Sequence, residues 1–95
     1  MYKDSNNSSS FIRYVICTDK VSSREFIGEI RYVGETTFFS IGKDVTRAFY
    51  YTDESKAKSW LDYLNNRRSD DKSVAELLKN KTLIIKPIQI SYKLR

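Results

Sequence analysis

Thr52-Asp53-Glu54-Ser55-Lys56-Ala57-Lys58-Ser59-Trp60-Leu61-Asp62-Tyr63-Leu64 places Ala57, Trp60, Leu61 and Leu64 at spacings of i, i+3, i+4 and i+7, one apolar stripe on a helix. Thr52 or Asp53 can cap its start by accepting hydrogen bonds from free backbone N–H groups, and Asp53 and Glu54 stand at the positive end of the helix dipole. Nearly everything on either side has strand character. The segment therefore predicts a helix laid across a sheet.

Upstream, Phe11 to Thr18 is a β-branched and aromatic run that predicts a first strand, and the polar Asp19 to Ser23 turns the chain. In Arg24 to Val33, Phe26, Ile30 and Tyr32 alternate with Glu25, Glu29 and Arg31, the period-two pattern of a strand with one wet face. Gly28 inside it marks a bulge or a close contact. Gly34-Glu35 leads into a third strand, Thr36 to Ile41, and such short connections require antiparallel neighbours. After the turn signal Gly42-Lys43-Asp44, Val45 to Tyr51 reads either as a fourth strand or as an irregular lead into the helix.

Downstream, Asn65 to Lys72 is polar and breaks the helical pattern, while Ser73 to Asn80 regains it at Val74, Leu77 and Leu78, giving room for a short second helix. Thr82 to Leu94 closes the chain as a strand whose apolar residues fall on odd positions before Pro87 and on even positions after it. A bulge near Lys86-Pro87 would reconcile the two phases, and the proline argues for an edge strand or an interruption. The expected fold is α+β: an antiparallel sheet of four to five strands with one main helix on one face, in the order β-β-β-(β)-α-(α)-β. The Ser/Asn-rich residues 1–10 read as a flexible tail, and residues 11–95 as one domain.

The chemistry on offer is narrow. The chain of 95 residues has no histidine and one cysteine, Cys17, so it lacks the commonest general base, every Ser-His or Cys-His pair and the ligands for a structural zinc. Cys17 sits in a strand pattern and reads as a buried thiol. The acidic pairs Asp53-Glu54 and Asp70-Asp71 suit helix starts or a solvated loop rather than a metal site, and Gly28, Gly34 and Gly42 form no phosphate-binding loop. The expectation is a non-enzymatic protein without metal or cofactor. No apolar run approaches the ~20 residues of a membrane span, and the N-terminus lacks the apolar block of a secretory signal, so a reducing cytoplasm is the expected setting.

What remains is binding. Lys and Arg number 17 against 12 acids, a net charge of +5 that favours anionic partners without naming one. Seven tyrosines, five phenylalanines and one tryptophan are interleaved with arginines, the residue types enriched at protein hot spots and on single-stranded nucleic-acid platforms. Trp60, Phe26 and Phe39 are assigned to the core under the helix. The candidate binding residues are Arg13, Tyr14, Arg31, Arg47, Tyr50, Tyr51, Tyr63, Arg67, Arg68 and Tyr92. A free sheet edge also offers a route to a homodimer.

The Arg-Tyr-bearing first strand, the hairpin, the block Arg47-Ala48-Phe49-Tyr50-Tyr51-Thr52-Asp53-Glu54-Ser55-Lys56-Ala57, a helix ending near Leu64 and a final Leu-Ile-Ile strand together resemble small accessory proteins of phages and mobile elements. The resemblance spans residues 11–94 and carries no catalytic motif. It implies a protein that works in the host cytoplasm by binding and blocking a host protein such as a defence nuclease, as anti-CRISPR and other anti-defence inhibitors do. The alternative is a single-stranded nucleic-acid binder whose sheet aromatics stack on bases while Lys and Arg meet phosphates.

Overall fold

A computed structural model describes residues 8–94. Asp53 caps the main helix, α1 (Glu54–Asp70), its Oδ1 accepting from the Lys56 N–H at 2.9 Å and from Ser55 Oγ at 2.7 Å. Ala57 and Leu64 are fully buried, and Trp60 and Leu61 are partly buried against the same core. The helix continues past the polar break expected after Leu64, through Asn65-Asn66-Arg67-Arg68. Tertiary hydrogen bonds hold this turn in place: Arg67 Nη2 donates to the Glu35 carbonyl at 2.9 Å, and Arg68 Nη2 donates to the Leu78 carbonyl at 2.6 Å and to the Lys81 carbonyl. Asp71 then joins the two helices. Its N–H donates to the Arg67 carbonyl at 2.8 Å, and its carboxylate caps α2 (Lys72–Leu77) by accepting from the Ser73 and Val74 N–H groups. Val74 and Leu78 enter the core; Leu77, at the same helical spacing, is exposed.

These caps make stability depend on acid. The Ser55 hydroxyl, then the Lys56 N–H, hold the Asp53 carboxyl below its ordinary value of 3.8. A carboxylate with a depressed folded pKa contributes stability that is complete above the ordinary value and is lost as pH falls through the folded one. Thermal melts followed by circular dichroism should therefore show a Tm that falls below about pH 4. The Asp53→Asn variant, which keeps the cap but cannot titrate, should show a shallower fall; an identical acid profile would remove Asp53 from the account.

The sheet is antiparallel and runs in the order β5 (Ile41–Gly42), β2 (Phe26–Ile27), β1 (Ser8–Thr18), β6 (Leu83–Lys93). A separate hairpin pairs β3 (Arg31–Val33) with β4 (Thr36–Phe38). The strands expected over Arg24 to Val33 and Thr36 to Ile41 are thus each broken in two. Gly28 stands at the first break, donating to the Ser40 carbonyl at 2.9 Å, and a Cβ there would collide with Ser40 Oγ and press on the Arg47 carbonyl at 3.2 Å. The glycine is the close contact its sequence suggested. The break resets the alternation, so that Ile27 and Ile30, of opposite parity, are both buried. Val45 to Tyr51 is the irregular lead: a 3-10 turn at Val45–Arg47 followed by a single bridge from Tyr51 to Tyr14.

The core lies between α1, α2 and one end of the sheet, where Ile16, Ile27, Ile30, Tyr51, Leu83 and the helical Ala57, Leu64, Val74 and Leu78 meet. Val15 and Cys17, on the other face of β1, are also fully buried, so this end of the sheet is closed on both sides. Burial raises the Cys17 thiol pKa, with the charges of Arg24 and Lys86 partly opposing the rise.

Beyond the helices, β1 and β6 continue alone as a two-stranded ribbon. The expected bulge at Lys86-Pro87 is absent: one unbroken register runs from Ser8 opposite Lys93 to Thr18 opposite Leu83. Proline fits because of where its missing donor falls. Tyr14 exchanges both backbone hydrogen bonds with Tyr51, at 3.0 and 2.8 Å, so its polar groups point away from β6 and the Tyr14–Pro87 pair is a non-hydrogen-bonded one. Pro87 therefore faces its nitrogen to the outer edge, as an edge strand permits. β1 begins at Ser8, so Ser8–Ser10 belong to the ribbon and not to a tail; residues 1–7 of the expected tail lie outside the described residues.

Candidate functional site

The phase change at Pro87 is a change of face. Near the helices, Ile16 and Tyr14 of β1 and Leu83 and Ile85 of β6 point to α1 and pack on the core. Past Pro87 the apolar residues of β6 occupy the opposite face, because alternation continues unbroken while the sequence parity switches. Phe11, Ile88, Ile90 and Tyr92 line that outer face of the distal ribbon, and Arg13 lies among them. The inner face there carries Ser10, Ile12, Gln89 and Ser91.

The outer residues pack on one another. Phe11 and Tyr92 sit diagonally across the strands with ring centroids 6.2 Å apart, and the Arg13 guanidinium stacks over the Phe11 ring at 4.4 Å. Phe11, Arg13, Ile88 and Ile90 are partly buried, while Tyr92 remains 48% exposed. No acidic residue occurs in β1 or β6, which carry Arg13, Lys86 and Lys93. The surface is thus apolar with a positive border. Such a composition suits contact with a macromolecule.

The ten residues singled out from the sequence do not form one patch. Arg13 and Tyr92 lie on the outer ribbon face, and Tyr14 packs against the core from the opposite face. Tyr51 is only 5% exposed, and burial, with Glu29 adding, pushes its phenol up to about 12, so it cannot belong to an exposed surface. Tyr50 donates to the Val45 carbonyl at 2.9 Å and fastens the 3-10 turn. Arg31 and Arg47 are exposed and pair loosely with Glu29 and Asp44 at 3.8 and 3.9 Å. Arg67 and Arg68 donate to the backbone carbonyls named above.

Tyr63 joins a second aromatic group. Its hydroxyl shares a 2.8 Å hydrogen bond with Thr37 Oγ1, its ring meets Trp60 edge-on at 5.4 Å, and Tyr32 stands at 6.2 Å. Tyr32, Ser59, Trp60 and Tyr63 border a cleft of about 430 Å3 between α1 and the β3–β4 hairpin. Most of this contact serves to dock the hairpin. Of the residues expected in the core, Trp60 and Phe39 pack against it, whereas Phe26 is half-buried outside the main cluster.

Phe11, Ile88 and Ile90 were not among the expected binding residues. Their signal was present in the parity switch at Pro87, which admits two readings until the register is known. Among the described residues no helix is long and apolar enough to cross a membrane, and no group of three metal-ligating side chains occurs. Comparison with known proteins gave no match: no family model fits the chain, and no curated protein or solved structure is similar to it.

Proposed function

We propose that this chain is a non-enzymatic protein-binding module that meets its partner with the outer face of the distal β1–β6 ribbon. One observation carries the reading: Phe11, Ile88, Ile90 and Tyr92 are gathered on the face turned away from the protein's own helices. An apolar ribbon face beyond the reach of the core stays only partly buried until something covers it. The resemblance to phage and mobile-element accessory proteins supports a host protein as that partner, and blocking of a defence nuclease in the host cytoplasm as the outcome.

Ile90 pairs with Phe11 at the middle of the patch and touches none of the core. The Ile90→Asp variant should therefore keep its thermal midpoint while losing capture of the partner from native-host lysate by about 30-fold or more, the loss expected at a central hot spot. Undiminished capture by Ile90→Asp would remove the ribbon from the binding surface. The positive border with two exposed-edge aromatics also favours, more weakly, single-stranded nucleic acid. Affinity for an oligonucleotide should then fall steeply between 50 and 200 mM salt, because each neutralised phosphate releases counterions; a flat response or no binding eliminates that reading.

A further inference from the structure

We propose that the outer edge of β6, over Gln89–Lys93, receives an extended acidic segment of the partner as an added strand; the inference rests on the distal ribbon being the binding surface. The backbone argument comes from parity. Tyr14 points its N–H and C=O to Tyr51, so even residues of β1 and odd residues of β6 direct their polar groups away from the shared ladder. Among the described residues, Gln89, Ser91 and Lys93 therefore present backbone donors and acceptors without a strand partner along one line, and β6 is the last strand of the sheet. A peptide added there gains main-chain hydrogen bonds and lays alternate side chains beside Ile88, Ile90 and Tyr92.

Pro87 delimits the site. It removes the outward donor next along the edge, so a guest strand is satisfied on the distal side and loses a bond if it extends inward. On that distal side Ser10 and Ser91 are small, Gln89, Ser91 and Lys93 are exposed, and a hollow of about 530 Å3 lies across the two strands, bordered by Ser9, Ser10, Gln89, Ser91, Tyr92 and Lys93.

Charge selects the guest. Both ribbon strands carry Arg13, Lys86 and Lys93 without one acid, so an acidic segment is attracted and a basic one repelled. A second copy of this chain, itself at +5, would bring the same cations to the same edge.

The test is a titration of the isotope-labelled full chain with a synthetic peptide of alternating Glu and Val, about ten residues long to match the ribbon, with a Lys/Val peptide as comparison. The Glu/Val peptide should shift and protect from exchange the amides of Gln89, Ser91 and Lys93, leaving those of Ile88 and Ile90 little changed; the Lys/Val peptide should do neither. Ser91→Pro removes an outward donor without touching the β1 ladder and should weaken the peptide about tenfold. No amide response to the Glu/Val peptide, equal response to both peptides, or full affinity in Ser91→Pro would each overturn the proposal. So would shifts at these amides that grow with protein concentration alone, which would assign the edge to a second copy. Loss of partner capture in Ile90→Asp with full capture in Ser91→Pro would defeat the edge alone, whereas full capture in Ile90→Asp would defeat the surface itself.

Discussion

Replacing Leu64 with alanine is expected to lower the unfolding free energy by about 3 kcal/mol, within the range for a fully buried leucine. Leu64 is 0% exposed and belongs to the cluster that joins α1 to Ile16 and Leu83 of the sheet and to Val74 and Leu78 around α2. Truncation loses the transfer energy of the removed carbons and leaves a cavity that three separate elements would have to move together to fill. Domains of this size have total stabilities of roughly 5–10 kcal/mol, so the change is a large fraction of the whole. At about 4–8 °C per kcal/mol the thermal midpoint should drop by about 12–24 °C. A urea titration with a loss under about 1 kcal/mol would show that the helix does not pack as described. The same substitution at Leu61, which is only partly buried, should cost less.

Arg68→Ala should destabilise by about 2 kcal/mol, from the loss of two charge-assisted hydrogen bonds; the Leu78 carbonyl keeps the Lys81 N–H at 3.0 Å, and the Lys81 carbonyl loses its donor. The Leu78 and Lys81 carbonyls lie where α2 ends and the chain turns, through Asn80 at a left-handed φ of 61°, toward β6. The guanidinium thus ties α1 to the turn that follows α2, adding a second donor at the Leu78 carbonyl and supplying one at the Lys81 carbonyl. Arg68→Lys should recover only part of the loss, because an ammonium has one centre where the guanidinium has a planar fork. The two measurements that decide are a thermal melt and partner capture. Instability with capture retained on the folded fraction assigns Arg68 to the fold; normal stability with capture lost would return it to the binding surface.

The local signals that proved readable were those that depend on few neighbours. Asp53 caps α1 because a carboxylate two and three residues before free donors has little choice, and Ala57 and Leu64 face the core because 3.6-residue periodicity leaves one apolar side. The antiparallel order followed from short connections. The C-terminal extension of α1 was not readable, since Asn65-Asn66-Arg67-Arg68 is polar and is held by carbonyls of Glu35, Leu78 and Lys81, the first over thirty residues earlier. The split of the middle strands was signalled only by Gly28, and its consequence, a hairpin docked on α1 through Tyr63 and Thr37, depends on a long-range contact.

The binding surface shows the same division. Arg13 and Tyr92 could be named as candidates from residue type, but so could Tyr51, Arg67 and Arg68, and type alone does not separate a hot spot from a core tyrosine or a carbonyl clamp. The parity switch in β6 was visible in one dimension. It is compatible with a bulge, which would keep every apolar residue on the core, and with a straight strand, which sends half of them outward.

The sequence by itself determined a capped amphipathic helix on an antiparallel sheet, in a chain with no histidine and one cysteine. Tertiary structure decided that β1 and β6 stay in one register past Pro87 and that the apolar residues beyond it face away from the core. The reason is that alternation along a strand is a local property, whereas the face a side chain occupies is set by pairing with residues 75 to 85 positions distant.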